Sequence, residues 1–170
     1  MARSYEYGKK EIKKYLQKIY NRNSTILDVG AGEGTYYNLL SDWFINKIDA
    51  VEIFKPNIDE YKLEEKYNQV FNADIRGFRY PYYDIIIFGD IIEHLEVNEA
   101  QEVLKYAYSR FKEMIVAVPY KYEQGIVNNN IYEIHKQDDL TPKIMEERYP
   151  FLKLLYGNDE YGYYVKRRNE

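Results

Sequence analysis

Ile26-Leu27-Asp28-Val29-Gly30-Ala31-Gly32-Glu33-Gly34 is the stretch on which the fold turns. An apolar run that ends in an acid and feeds three alternate glycines describes a buried strand turning tightly into a helix whose N-terminus opens onto a ligand. Glycine lacks the Cβ that would hold a ligand away from the backbone, and it tolerates the positive φ such a turn needs. Two nucleotide motifs fit less well. A P-loop requires Lys-Ser/Thr after its last glycine, where this chain has Thr35-Tyr36. The dinucleotide fingerprint G-x-G-x-x-G would put its third glycine at the position of Thr35, and it calls for no acid two residues before the first glycine.

On the N-terminal side, Tyr5 to Tyr20 carries Ile12, Tyr15, Leu16 and Ile19 at the spacing of one buried helical stripe and ends at Asn21-Arg22-Asn23-Ser24. Thr25 to Val29 is the first strand and Gly30 to Gly34 the turn. Tyr36 to Phe44 follows as a helix that can turn Tyr36, Leu39, Leu40 and Phe44 toward a sheet. Ile48 to Val51 is the second strand, closing on Glu52, and Pro56 suits the first turn of a helix reaching Glu65. Asn68 to Phe71 is a short third strand before Asn72-Ala73-Asp74.

Tyr83-Asp84-Ile85-Ile86-Ile87-Phe88 is continuously apolar after its acid, the pattern of a strand buried on both faces of a parallel sheet; it belongs centrally, next to the first strand. Gly89-Asp90-Ile91-Ile92-Glu93-His94-Leu95 leads into a helix from Asn98 to Arg110, with Val103, Leu104, Ala107 and Phe111 as its apolar side. Met114 to Val118 is the fifth strand, stopped by Pro119. Tyr120 to Asp139 is too long for a mere connection, and loops beyond about 12 to 15 residues are usually functional or disordered. Thr141-Pro142 supplies an N-cap and a first-turn proline for a helix to Arg148. Phe151 to Leu155 and Gly162 to Val165 then form an antiparallel hairpin around Gly157-Asn158-Asp159.

Alternating strands and helices predict an α/β protein: a doubly wound, mainly parallel seven-stranded sheet with right-handed crossovers, an antiparallel C-terminal hairpin, and helices on both faces. No repeat or composition break divides the chain, so residues 1–170 read as one domain. It comprises an N-terminal helix over 1–23, a core over 24–118, a long loop over 119–140, and a C-terminal helix and hairpin over 141–170.

Composition narrows the chemistry. No apolar run approaches a membrane span, and the region from Met1 to Tyr20 has no signal-peptide apolar core, so a cytoplasmic protein is expected. The absence of cysteine removes disulfides, thiolate catalysis and Cys-zinc sites. Any metal site must use histidine and carboxylates. The net charge of -4 argues against gripping nucleic acid by bulk electrostatics. Residues 1–22 are the exception, with seven Lys and Arg against Glu6 and Glu11.

Acids stand at four successive strand ends: Asp28, Glu52, Asp74 and Asp90. In an open α/β sheet the ligand lies beyond those ends, near the point where strand order reverses. The order Asp28-x-Gly30-x-Gly32-x-Gly34, with these acids in register, resembles motif I of the class I S-adenosylmethionine-dependent methyltransferases, which are Rossmann-like. The likeness covers Ser24 to Val165. It implies S-adenosylmethionine as cofactor, with Glu52 taking the ribose hydroxyls, Asp74 the adenine amine, and Ile75 or a neighbour packing on the ring. It further implies a cofactor-binding turn from Gly30 to Gly34 in which Gly30 and Gly32 let the backbone approach, with Asp28 holding the turn and reaching the ammonium through water, and the Gly89-Asp90 backbone lining the methionine end. The hydroxyls, amine and ammonium of that cofactor are all donors, and carboxylates are acceptors for each.

Both histidines fall near the carboxyl rim. Asp90, Glu93 and His94, at i, i+3 and i+4, share a face if their segment is helical. With His135 they give two carboxylates and two imidazoles, a set suited to Mg²⁺, Mn²⁺, Fe²⁺ or Zn²⁺. The pattern looks like the acid-x-x-Glu-His plus later His of metal-dependent O-methyltransferases acting on small-RNA 3′ ends, and like the Glu-His segment of ubiquinone-pathway O-methyltransferases. It departs from the RNA enzymes in having Asp90 rather than the longer Glu and in lacking their further downstream histidines. Glu93-His94 also resembles the same position in methyltransferases not known to use metal. There His94 would be a base or orienting group, with Glu93 and His135 as its catalytic neighbours.

The segment with Tyr120, Tyr122, Tyr132 and Glu133 is where the acceptor should be covered. Its Glu133-x-His135 followed by Asp138-Asp139-Leu140 is similar to a loop of bacterial methyltransferases found beside sugar- or lipid-modifying genes. The expected activity is methyl transfer to a small-molecule or glycan-like acceptor at oxygen. Two alternatives stand beside it. One is an RNA methyltransferase using the basic first helix and Lys166-Arg167-Arg168; the other is a non-catalytic cofactor-binding module serving a partner. Gly89-Asp90-Ile91-Ile92 is not the Asn/Asp-Pro-Pro-aromatic signature of amino-group methylation, and no cysteine exists for C5-cytosine chemistry.

Overall fold

The computed structural model describes residues 7–44 and 48–168. Its elements are α1 (Lys9–Ile19), β1 (Ile26–Val29), α2 (Thr35–Leu40), β2 (Ile48–Glu52), α3 (Lys55–Glu60), α4 (Leu63–Lys66) and β3 (Gln69–Asn72). There follow β4 (Tyr83–Gly89), α5 (Val97–Ala107), β5 (Phe111–Pro119), α6 (Pro142–Arg148), β6 (Lys153–Gly157) and β7 (Tyr161–Arg167). Short 3₁₀ turns occupy Ile92–His94 and Ile131–Glu133.

The strands form one seven-stranded sheet ordered β3-β2-β1-β4-β5-β7-β6. β1 pairs in parallel with both β2 and β4, so strand order reverses beside the glycine turn, the place where such sheets open a ligand crevice. β7 runs antiparallel between β5 and β6. The unbroken apolar run of β4 has its reason in this layout: Ile85, Ile86, Ile87 and Phe88 are each 0% exposed, covered on both faces. On one face pack Ile12 and Leu16 of α1, Tyr36 and Leu40 of α2, Ile58 of α3 and Leu63 of α4. On the other pack Ala100, Val103, Leu104 and Ala107 of α5 with Met145 and the following Tyr149 at α6.

A buried carboxylate locks α1 to the sheet at the end away from the glycine turn. Glu113 of β5 accepts hydrogen bonds from the hydroxyls of Tyr15 and Tyr20 and faces the Arg167 guanidinium at 3.6 Å. Part of the basic N-terminal segment is neutralised as well, since Lys13 pairs with Asp42 at 2.6 Å.

Local departures from the sequence reading have backbone causes. The helix expected from Pro56 to Glu65 is two helices, because Lys62 adopts φ 51 and interrupts the ladder. The helix after the turn ends at Leu40, although Phe44 beyond it is still buried. The first hairpin strand starts at Lys153 and runs to Gly157, later than predicted. Tyr5 and Glu6 of the predicted first helix and Arg3 of the basic segment lie outside the described residues. Among the described residues, no helix is long and apolar enough to cross a membrane.

Candidate functional site

A cleft of about 880 Å³ opens over the carboxyl ends of β1, β2, β4 and β5. It is lined by Gly30, Gly32, Glu52, Asp74, Ile75 and Asp90, and also by Glu93, His94 and His135. The topology thus gathers residues that are up to about a hundred positions apart in sequence. Asp28 and Gly34 are not among the lining residues.

The glycine turn explains its own composition. Gly30, at φ 73, donates its N–H to Val51 O at 2.8 Å, and a Cβ there would sit 1.9 Å from Ile91 Cδ1. Here glycine serves close packing of the turn against the segment after β4. Gly32, at φ 51, is different: a Cβ there would meet nothing nearer than 3.9 Å, so its bare side opens on the cleft. The Gly32 N–H donates to Glu52 Oε2 at 2.8 Å, and Phe54 N–H donates to Oε1 at 2.8 Å. Burial raises the Glu52 pKa, with the N–H groups of Phe54, Gly32 and Ile53 opposing. S-adenosylmethionine fits these residues: the Gly32 side leaves room for it, and an aligned carboxylate stands beside that opening for its hydroxyl donors. Gly34 lies behind the wall, as the N-cap of α2.

Asp28 is buried on the α1–α4 face, where its Oδ2 accepts the Tyr67 hydroxyl at 2.6 Å. Burial pushes its carboxyl from 3.8 up to about 7, Tyr67 opposing and the Glu52 charge adding. A carboxyl whose pKa rises on folding contributes stability that is complete below pH 3.8 and lost as the pH climbs to about 7. Asp28→Asn keeps an acceptor for Tyr67 and removes the charge. Above pH 7 the variant should be more stable by about 2 kcal/mol: about 4 from the ionisation removed, less about 2 for burying the amide N–H. Thermal unfolding at pH 8 should show Tm higher by about 4 to 8 °C, a gain that vanishes at about pH 5 and becomes a loss of about 2 kcal/mol by about pH 4, where the wild-type carboxyl is protonated. A variant less stable than wild type at pH 8 would contradict a buried charge at this position.

Asp74 reaches the cleft already engaged. Arg76 donates to both of its carboxylate oxygens at 2.6 to 3.0 Å, holding the carboxyl below its ordinary value, and also reaches Glu99 of α5 at 2.9 Å. An adenine amine would therefore share Asp74 with Arg76, a partner that no motif announced.

The inner end of the cleft holds the histidines. β4 ends at Gly89, Asp90 takes the left-handed conformation at φ 56, and the 3₁₀ turn begins only at Ile92. Asp90 therefore does not share a helical face with Glu93 and His94, and its Oδ1 accepts the Tyr161 hydroxyl at 2.5 Å. The groups that come together are Glu93, His94 and His135, with one ligand-capable atom of each within 4.8 Å of the others. The two imidazoles meet edge to face at 4.7 Å. His135 Nδ1 donates to Tyr122 O at 2.6 Å, which leaves Nε2 as the acceptor. Burial, then His135, pushes His94 down to about 4, so it is neutral at pH 7; burial lowers His135 as well. Both Glu93 oxygens are buried without a hydrogen-bond partner among the described residues. Burial, then the Asp90 charge, holds this carboxyl well above its usual range.

The long segment after β5 is tied across this end. Lys136 and Gln137 donate their N–H groups to Glu93 O at 2.7 and 3.0 Å, and Lys121 N–H meets Leu140 O at 3.0 Å. Gln137, buried, donates through Nε2 to Ile92 O and Leu95 O and accepts from Tyr149. Nothing in the sequence marked Gln137 as this fastener, or Tyr161 as the partner of Asp90. Seven carboxylate residues line the cleft against three Lys and Arg. The surface is therefore suited to a cationic or neutral ligand.

A family profile described as a methyltransferase domain matches residues 2–121. Comparison with curated proteins finds no match. Among solved structures, an S-adenosylmethionine-dependent methyltransferase from Clostridium acetobutylicum ATCC 824 is similar with TM-score 0.69 and 12% identity, over 98% of this chain and 92% of that one. The methyltransferase domain of bacterial CtHen1 is similar with TM-score 0.65 and 20% identity, over 94% of this chain and 96% of that one. Magnesium protoporphyrin IX methyltransferase from Synechocystis PCC 6803, with bound SAH, has TM-score 0.64 and 14% identity, over 94% and 81%. At these identities the likeness is one of fold. With a profile match over most of its length, and with the glycine turn and Glu52 meeting at the mouth of the cleft, the chain belongs to the class I S-adenosylmethionine-dependent methyltransferases.

Proposed function

We propose that the chain transfers the methyl group of S-adenosylmethionine to a hydroxyl oxygen of an uncharged small-molecule or glycan-like acceptor. The observation that carries this reading is the gathering of Glu93, His94 and His135 in the same cleft as Gly32 and Glu52. The cofactor supplies an already activated methyl group. The protein must align the acceptor oxygen with it and take away the hydroxyl proton. His94, held neutral, and His135, with Nε2 as its acceptor, are the groups placed to receive that proton.

A divalent cation also fits the group, because buried neutral imidazoles and a carboxylate without a donor are what such an ion binds. Glu93, His94 and His135 would hold it, and it would supply a Lewis acid that makes the hydroxyl more acidic. Asp90, engaged by Tyr161, stands outside this set. The acid-rich wall supports an uncharged acceptor over RNA. Two of the basic residues that an RNA reading would use are engaged elsewhere, Lys13 with Asp42 and Arg167 with Glu113.

The test supplies methyl-labelled S-adenosylmethionine with a panel of phenolic and sugar hydroxyl acceptors, in chelator and then in Mg²⁺ or Mn²⁺. Label should appear in an ether oxygen of an uncharged acceptor; label entering only RNA would overturn the reading. Full turnover in chelator assigns the proton to imidazole alone, and loss restored by Mn²⁺ assigns the cation.

A further inference from the structure

The segment between β5 and α6 does more than roof the acceptor end. Its second 3₁₀ turn, Ile131–Glu133, places Glu133 on the wall of the main cleft. The same residue also lines a small recess on the far side of the glycine turn, with Gly32, Phe54, Asn57 and Tyr61. Glu133 therefore stands where the segment passes over the carboxyl ends of β1 and β2, beside the opening that Gly32 leaves. Glu52 lines the same cleft, and its charge raises the Glu133 carboxyl after burial does.

The Glu133 side chain is held from within its own segment. Asn130 Nδ2 donates to Oε1 at 3.2 Å and Gln124 Nε2 donates to Oε2 at 3.2 Å. Gln124 also takes the Glu133 carbonyl at 2.9 Å. Asn130 is itself buried, and its Oδ1 accepts Tyr132 N–H at 3.0 Å. Each carboxylate oxygen carries two lone pairs, so one donor apiece leaves acceptor capacity for a ligand. An acid whose carboxyl is raised by a neighbouring carboxylate is in an unfavourable arrangement on its own, and hydroxyl donors placed between the two relieve it.

We propose that Glu133 is a second acid of the ribose subsite. From its place on the wall of the cleft that Glu52 also lines, it accepts a hydrogen bond from a ribose hydroxyl of S-adenosylmethionine while Glu52 serves the other. This rests on the cofactor reading of the cleft. It makes Glu133 a cofactor-positioning residue, and it couples cofactor binding to the order of the segment that also carries Tyr132 and His135.

The experiment is calorimetry of the full chain with S-adenosylhomocysteine and with its 2′,3′-dideoxyribose analogue. Wild type should bind S-adenosylhomocysteine, and Glu133→Ala should weaken that binding about tenfold while changing analogue binding less than about twofold. Glu133→Gln, which keeps an acceptor for Asn130 or Gln124, should weaken it less, and its ligand-free Tm serves as the folding control. S-adenosylhomocysteine should also protect residues 120–139 from proteolysis in wild type and lose that protection in Glu133→Ala. Equal losses for both ligands, or no loss for either, would overturn the assignment. Failure of wild type to bind S-adenosylhomocysteine would instead remove the cofactor reading itself.

Discussion

Turnover of the His94→Ala variant should fall by about three orders of magnitude, within the range for losing a positioned proton acceptor. Its affinity for S-adenosylhomocysteine should stay within about twofold of wild type. The separation follows from position. His94 sits in the 3₁₀ turn after β4, with His135 at 4.7 Å and the buried Glu93 beside it. The glycine turn and Glu52 form the other end of the cleft, where the adenosyl group is read to bind. Removing the imidazole takes away either the proton acceptor or one of three metal ligands, so both accounts require the loss of rate. Single-turnover transfer from labelled donor, with calorimetry alongside, checks it. If affinity fell in proportion to rate, His94 would be supporting the shape of the cleft and not the transfer.

The second large effect concerns Glu52. Glu52→Ala should weaken S-adenosylhomocysteine binding by about 100-fold, because hydrogen bonds to a charged acceptor contribute about 1.5 to 3 kcal/mol each and a tenfold change is about 1.4 kcal/mol. Part of that loss is indirect. Without the carboxylate, the N–H groups of Gly32 and Phe54 lose their acceptors, and the turn beside the cofactor loosens. Glu52→Gln keeps one acceptor oxygen and should fall between wild type and alanine. Titration calorimetry of the three proteins measures the series, and thermal unfolding without ligand reports the cost to the turn. An alanine variant that bound as tightly as wild type would place the ribose elsewhere.

Much of this protein is legible along the chain because its governing signals are local. The apolar run of β4, the Asp28 to Gly34 turn, and acids at strand ends follow from periodicity and turn chemistry, and the sheet is mainly parallel with β4 beside β1 and an antiparallel C-terminal hairpin, as expected. The break at Lys62 was not legible, since neither glycine nor proline marks it. The condition that would have put Asp90 on the face of Glu93 and His94 fails for a related reason. The i, i+3, i+4 spacing describes a shared face only on a continuous helix, and a left-handed residue at the strand end interrupts that periodicity before His94.

Asp28 separates the two kinds of information most clearly. Side chains on a strand alternate between faces, so the sequence alone determined that Asp28 and Val29 point opposite ways. Which face meets the cleft is a property of strand order and of what packs above. Here Val29 lines the cleft, and Asp28 lies under Tyr67. By itself the sequence determined the class of sheet, the glycine turn and the family to which they belong. Only the tertiary structure decided that Tyr161 takes Asp90, that Arg76 takes Asp74, and that His135 and Glu133 are carried back over β4 and β2. Apart from the local Arg76–Asp74 pair, these contacts join residues far apart in the chain, and no local propensity encodes them.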